Sequence, residues 1–60
     1  MLGAPAGATH RVVVEVTLRR NYWAQQETRA LAKQDVISRA MRDFNVPRDA
    51  IDATVFDVVE

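Results

Sequence analysis

The sequence predicts an α+β fold. It reads as a single β-α-β unit of strand, long helix and strand, completed by homodimerisation into a four-stranded sheet with two helices. Three observations carry this expectation. Val12 to Leu18 alternates apolar and polar side chains, Tyr22 to Phe44 repeats apolar residues at helical spacing, and Ile51 to Val59 is rich in β-branched residues. One helix and two strands in 60 residues leave two raw sheet edges and half a core, which a second chain would supply.

The first strand places Val12, Val14, Val16 and Leu18 on one face and Arg11, Val13, Glu15 and Thr17 on the other. That is the period-two pattern of a half-buried strand. Its apolar run suits a central position in the sheet. Arg19-Arg20-Asn21 then reads as a turn, with Asn21 as the N-cap of a helix that Tyr22 and Trp23 open. Trp23, Ala30, Ile37, Ala40, Met41 and Phe44 fall in one stripe of that helix, with Lys33 intruding. Asp35, Ser38, Arg39 and Arg42 lie opposite, and Asp35 with Arg39 forms a favourable i,i+4 pair. Asn45 is suited to a left-handed cap, and Pro47 forbids further helix.

The last segment has a competing reading. Ile51, Val55, Val58 and Val59 also fit helical spacing, which would give strand-helix-helix, a ribbon-helix-helix-like order. The strand is preferred because Val, Ile, Thr and Phe favour a pleated surface and because the preceding helix is too long for that class. Asp52 and Asp57 suit an edge strand, where charge discourages further pairing. A helix returning along the strand would make the two strands parallel.

Residues 1–9 are small and hold both glycines, so they read as a flexible leader before a single domain at 10–60. They lack the basic region and apolar core of a signal peptide. No stretch approaches the ~20 apolar residues of a membrane span. A cytoplasmic protein with no membrane partner is expected. Seven of the eight bases are Arg, and Ala and Val abound, a composition that fits a G+C-rich bacterial or phage genome.

Composition narrows the chemistry. The chain has no Cys and one His, so disulfides, thiolate metal sites and histidine clusters are excluded. Small domains without such staples lean on oligomerisation. Eight bases balance eight acids, unlike the basic excess of a general polyanion binder. One Ser, one His and no Cys leave no nucleophilic triad to draw, so no enzyme and no cofactor are expected. Asp49, Asp52, Asp57 and Glu60 lack calcium-loop spacing and read as a solvated edge. His10 reads as a surface polar residue.

Two groups of residues remain as candidates. Arg19, Arg20, Tyr22 and Trp23 could hold a phosphate or stack a base at a helix N-terminus; the plainer reading is a solvated turn with Trp23 in the core. Leu31 and Val36 lie off the helix stripe and, grouped by dimerisation, could form a patch that a partner protein covers. Val12, Val13, Val14 and Val16 are the expected seam between subunits, first strand against first strand. The expected function is a small homo-oligomeric accessory or regulatory protein that binds another protein. The alternative is a dimeric nucleic-acid-binding protein using Arg11, Arg19, Arg20, Tyr22 and Trp23.

Overall fold

The chain reverses twice before it can return to its first strand, and those reversals set the topology. A computed structural model describes residues 5–58. Strand β1 runs His10–Glu15, β2 Arg19–Ala24, helix α1 Arg29–Phe44 and β3 Asp52–Asp57, with a single 3₁₀ turn at Arg48–Ala50 before β3. Val16-Thr17-Leu18 closes a hairpin in which Glu15 faces Arg19, and the Val16 amide donates to the Leu18 carbonyl at 3.3 Å. The sheet order is β2-β1-β3, and β1 pairs antiparallel with both neighbours.

The fold class is therefore α+β, with one helix on a three-stranded sheet. A strand-helix-strand unit is present, but β2 is its first strand. Because β2 and β3 are each antiparallel to β1, they run parallel to one another with β1 inserted between them. The expected parallel pairing of the first and last strands is corrected by that hairpin, which reverses the chain before the helix starts. Residues 52–57 are strand, which sets aside the ribbon-helix-helix-like alternative. β1 is central and β3 is an edge, as expected from their apolar and charged character.

The stretch Arg19–Ala24 is the main correction. It is strand, not turn and helix start. Tyr22 and Trp23 fit a pleated surface better than a first helical turn, and the hairpin gives them a partner strand at Val12 and Arg11. The helix N-cap is Thr28, whose hydroxyl accepts from the Leu31 amide at 3.2 Å. Asn21 is an exposed strand residue facing Val13.

The other end of α1 follows expectation. Asn45 is left-handed, with φ 54° and ψ 52°, and the amides of Asn45 and Val46 both bond to the Met41 carbonyl. Pro47 then carries the chain into the 3₁₀ turn.

Moving the helix start from residue 22 to 29 also changes its lining. Ala32, Val36, Ile37 and Ala40 are buried, Met41 and Phe44 half-buried, and Ala30 exposed. The core joins Ala32, Val36 and Ala40 to Val12, Val14, Tyr22 and Ala24, with Phe44, Ile51, Ala53 and Val55 packed around it. Three alanines and three valines among those buried positions bring helix and sheet close and leave little volume to fill.

Polar links tie α1 to the sheet. Tyr22 donates its hydroxyl to Asp43 at 2.8 Å. Arg39 donates from one nitrogen to Asp35 at 3.0 Å and to the Trp23 carbonyl at 2.8 Å, and its guanidinium sits 5.5 Å from the Tyr22 ring centre. The expected Asp35–Arg39 pair is present and does more than join neighbouring turns: it orients Arg39 onto β2.

Pro5–Ala8 forms a turn closed by the Ala8 amide on the Pro5 carbonyl, with Gly7 at φ +85°. Gly7 is there because a left-handed backbone strains any residue with a Cβ. Thr9 continues the ladder: its amide donates to Ala24 and its carbonyl accepts from Val58.

Candidate functional site

The period of two that sends Val12 and Val14 under α1 sends Arg11, Val13 and Glu15 to the other side of β1. The register then builds three rows across that open face. Trp23, Arg11 and Phe56 form the first row; Asn21, Val13 and Thr54 the second; Arg19, Glu15 and Asp52 the third. Strands about 4.8 Å apart put the members of each row in side-chain contact range.

The rows differ in chemistry. In the first, the Arg11 guanidinium lies 4.7 Å from the Phe56 ring centre, a cation–π contact on a ring that is 42% exposed. Trp23, on the other side of Arg11, is half-buried. The third row is charged, with Glu15 between Arg19 and Asp52. Two arginines and two acids thus share the face, and their charges cancel. Between the rows lies a shallow concavity of ≈ 530 Å³ that reaches from Phe56 to Arg19.

The expected basic–aromatic cluster is split by the sheet. Arg19 and Trp23 are on the open face. Arg20 and Tyr22 are on the covered one, with the Arg20 guanidinium 5.3 Å from the Tyr22 ring centre. Tyr22 is buried against α1, and burial first, then its bond to Asp43, pushes its pKa above the ordinary phenol value. The four residues surround no helix N-terminus, because α1 begins at Arg29.

The other candidates separate in the same way. Val36 is fully buried and belongs to the core, while Leu31 remains 45% exposed on α1. Val12 and Val14 are fully buried beneath the helix, Val13 is half-buried on the open face, and Val16 sits half-buried in the hairpin loop. Both edges of β1 are occupied within the chain. Within the single chain, an edge-to-edge seam of first strand on first strand therefore finds no free amides on β1.

A polar cluster occupies the covered side near the end of β3. His10 is 7% exposed, not a surface residue, with Nε2 3.5 Å from Asp57 Oδ1 and Nδ1 2.8 Å from Thr9 Oγ1. Arg29 holds Asp57 through two bonds, Nε to Oδ1 at 3.1 Å and Nη2 to Oδ2 at 2.8 Å. That hydrogen-bonded pairing keeps the Asp57 carboxyl below its ordinary pKa and lifts that of Arg29. The pair joins the first residue of α1 to the last of β3. Among the described residues no group of three His, Asp or Glu side chains is arranged to hold a metal ion. No described helix is long and apolar enough to cross a membrane.

Phe56 and Thr54 are the site residues that sequence reasoning missed. The signal was present: parity along β3 puts Val55 and Ala53 on the core side, so Phe56, Thr54 and Asp52 must face away. It was masked because the segment carries charge on both parities. Comparison with protein-family models, curated proteins and solved structures finds no match for this chain.

Proposed function

We propose that the chain is a non-enzymatic binding protein that works by protein–protein contact through the open face of its sheet. A single observation carries this reading: among the described residues, one side of the three-stranded sheet carries no covering layer and presents Trp23, Val13 and Phe56 among four charges that cancel. Aromatic and arginine side chains around an apolar centre are the composition of protein contact surfaces. An accessory or regulatory role in the cytoplasm of a bacterium or in a phage fits such a small adaptor.

A second reading, nucleic-acid binding, is favoured by the first row alone, where Trp23 and Phe56 flank Arg11 as a stacking surface would. Glu15 and Asp52 on the same face work against it, since each would repel a phosphate backbone passing over the third row.

Site-directed photo-crosslinking separates the two. A photoreactive side chain at Thr54, in the middle row, is expected to give protein adducts, whereas the same group at Ser38, exposed on α1, is expected to give none. Adducts removed by nuclease, or no adduct at Thr54, would overturn the protein-contact reading.

A further inference from the structure

We infer that the partner on the open face is a second copy of this chain, stacked sheet to sheet about a two-fold axis that lies in the interface, crosses the strands and passes by Val13. The inference deepens the protein-contact reading and rests on it. Its basis is the order of the three rows. Arg11 and Glu15 lie on the same face of β1, one on either side of Val13. A two-fold axis across the strands exchanges the first and third rows. It lays each β1 over the other in opposite directions.

The consequences can be read off the register. Arg11 comes to face the partner's Glu15, and the symmetric pair forms at the other end. The Arg11 guanidinium, held over Phe56, is then also opposite the partner's Asp52. Arg19 comes to face the partner's Trp23, a cation–π geometry in place of a solvated charge. Val13 meets its own copy on the axis, where apolar contact costs no charge. Arg11, Glu15 and Asp52 each gain an opposite charge and Arg19 an aromatic ring, and no like charges face one another directly.

The other in-plane axis, running along β1, is the poorer one. It sets Arg19 against the partner's Asp52 but stacks Arg11 on the partner's Arg11 and Glu15 on the partner's Glu15 at the centre of the contact, and like charges in contact oppose association. Charge order therefore selects one orientation. Sheet geometry permits it, because face-to-face sheets pack with strands within about 30° of alignment, and a residue about 7 Å from the axis shifts by only about 3–4 Å under that rotation. An arginine side chain spans such a shift.

The patch is small, a few hundred Å² per copy by strand spacing and length, at the low end of specific interfaces. A dimer with a micromolar dissociation constant is therefore expected.

The test is charge exchange with complementation. Wild-type protein is expected to pass from monomer to dimer in sedimentation velocity between about 5 and about 500 μM. R11E places acid against acid and E15R base against base, so each variant alone is expected to remain monomeric while keeping the wild-type circular dichroism spectrum. An equimolar mixture of R11E and E15R restores both oppositions and is expected to recover the heterodimer. T54K puts two cations side by side near the axis without touching the Arg11–Glu15 pairs, and it too should give monomer, which keeps the test available if E15R fails to fold.

A wild-type monomer throughout the range overturns the inference. So does a dimer that survives R11E and T54K, because its seam then lies at a sheet edge or on α1. The crosslink at Thr54 tells this failure from that of the broader reading. An adduct at twice the chain's mass supports self-association, an adduct with a different protein leaves protein contact standing while removing the second copy, and no protein adduct removes both.

Discussion

Val12, Val13 and Val14 are consecutive in β1, yet the first and third are fully buried under α1 while the second lies half-buried on the open side. The covered face is closed by small residues, Ala24, Ala32 and Ala40, that let helix and sheet approach, and there Tyr22 is hydrogen-bonded to Asp43 and Arg39 to Asp35 and the Trp23 carbonyl. The open face places its largest side chains, Trp23 and Phe56, either side of an arginine and surrounds them with uncommitted charge. One face is organised to exclude water within a single chain. The other has the ingredients of a contact and, among the described residues, no second layer.

The largest effect that would break this comparison comes from placing the same charge on neighbouring residues. Val14→Asp buries a carboxylate among Val12, Val36 and Ala40, where only the exposed Arg20 across the ladder could answer it, a cost of several kcal/mol that a domain of this size cannot absorb. It is expected to abolish cooperative unfolding in a thermal melt. Val13→Asp should retain a cooperative transition, lowered by about 1 kcal/mol, the common size for a partly exposed site. Equal loss of structure in both variants would mean that the faces do not differ as described.

A smaller effect sharpens the covered side. Tyr22→Phe removes the hydroxyl bond to Asp43 and is expected to cost about 1 kcal/mol, whereas Asn21→Ala, next door on the open face, should change stability by less than about 0.5 kcal/mol. The tyrosine term also has a pH signature. Its folded pKa is raised by burial and by Asp43, so the folded state favours the neutral phenol. That stabilisation is fully present below the ordinary phenol pKa of about 10 and is lost as pH rises through the higher folded value. Denaturant titrations from about pH 8 to about pH 12 should show wild type and Tyr22→Phe converging. A gap that stays constant would show that the hydroxyl contributes through something other than its proton.

The smallest effect is expected from deleting Met1 to Ala8. The ladder contacts at that end belong to Thr9, which bonds Ala24 and Val58 through its backbone and accepts the Gln26 amide on its hydroxyl. The melting temperature should change by no more than a few degrees, corresponding to less than about 0.5 kcal/mol. A larger drop would show that the leader stabilises one of the two faces.

Much of this arrangement was legible from residue order. The β-branched run at 51–59, the Asn45–Pro47 stop and the apolar alternation of the first strand located β3, the end of α1 and a central β1. The second strand was hidden by a coincidence of spacing. Trp23, Ala30, Ile37 and Phe44 recur every seven residues, which is also a helical repeat, so Trp23 could be drawn into a helix it does not join. The neighbouring signal, Thr28 as a hydroxyl able to cap the first turn, carried the true boundary. Once β2 is restored, parity assigns Tyr22 and Trp23 to opposite faces, and the supposed four-residue cluster separates into a core contact and an open-face contact. Val36 was misplaced for the same reason: drawing Trp23 and Ala30 into the stripe turns it away from the face that Ala32, Val36 and Ala40 share. The His10–Asp57–Arg29 cluster joins residues from three elements and has no counterpart in sequence spacing.

The insertion of β1 between β2 and β3 also orders the chain's amides by how readily they meet solvent deuterium. Each β1 amide is held from one side or the other, and releasing the strand means losing two neighbours at once. The outer strands use alternate amides for pairing, and their remaining amides point outward from the sheet edges. Protection should therefore run continuously through Val12, Val13 and Val14 and alternate along Arg19–Ala24 and Asp52–Asp57. Face-to-face association would leave that alternation unchanged, because stacking covers side chains and engages no backbone donor at the rim.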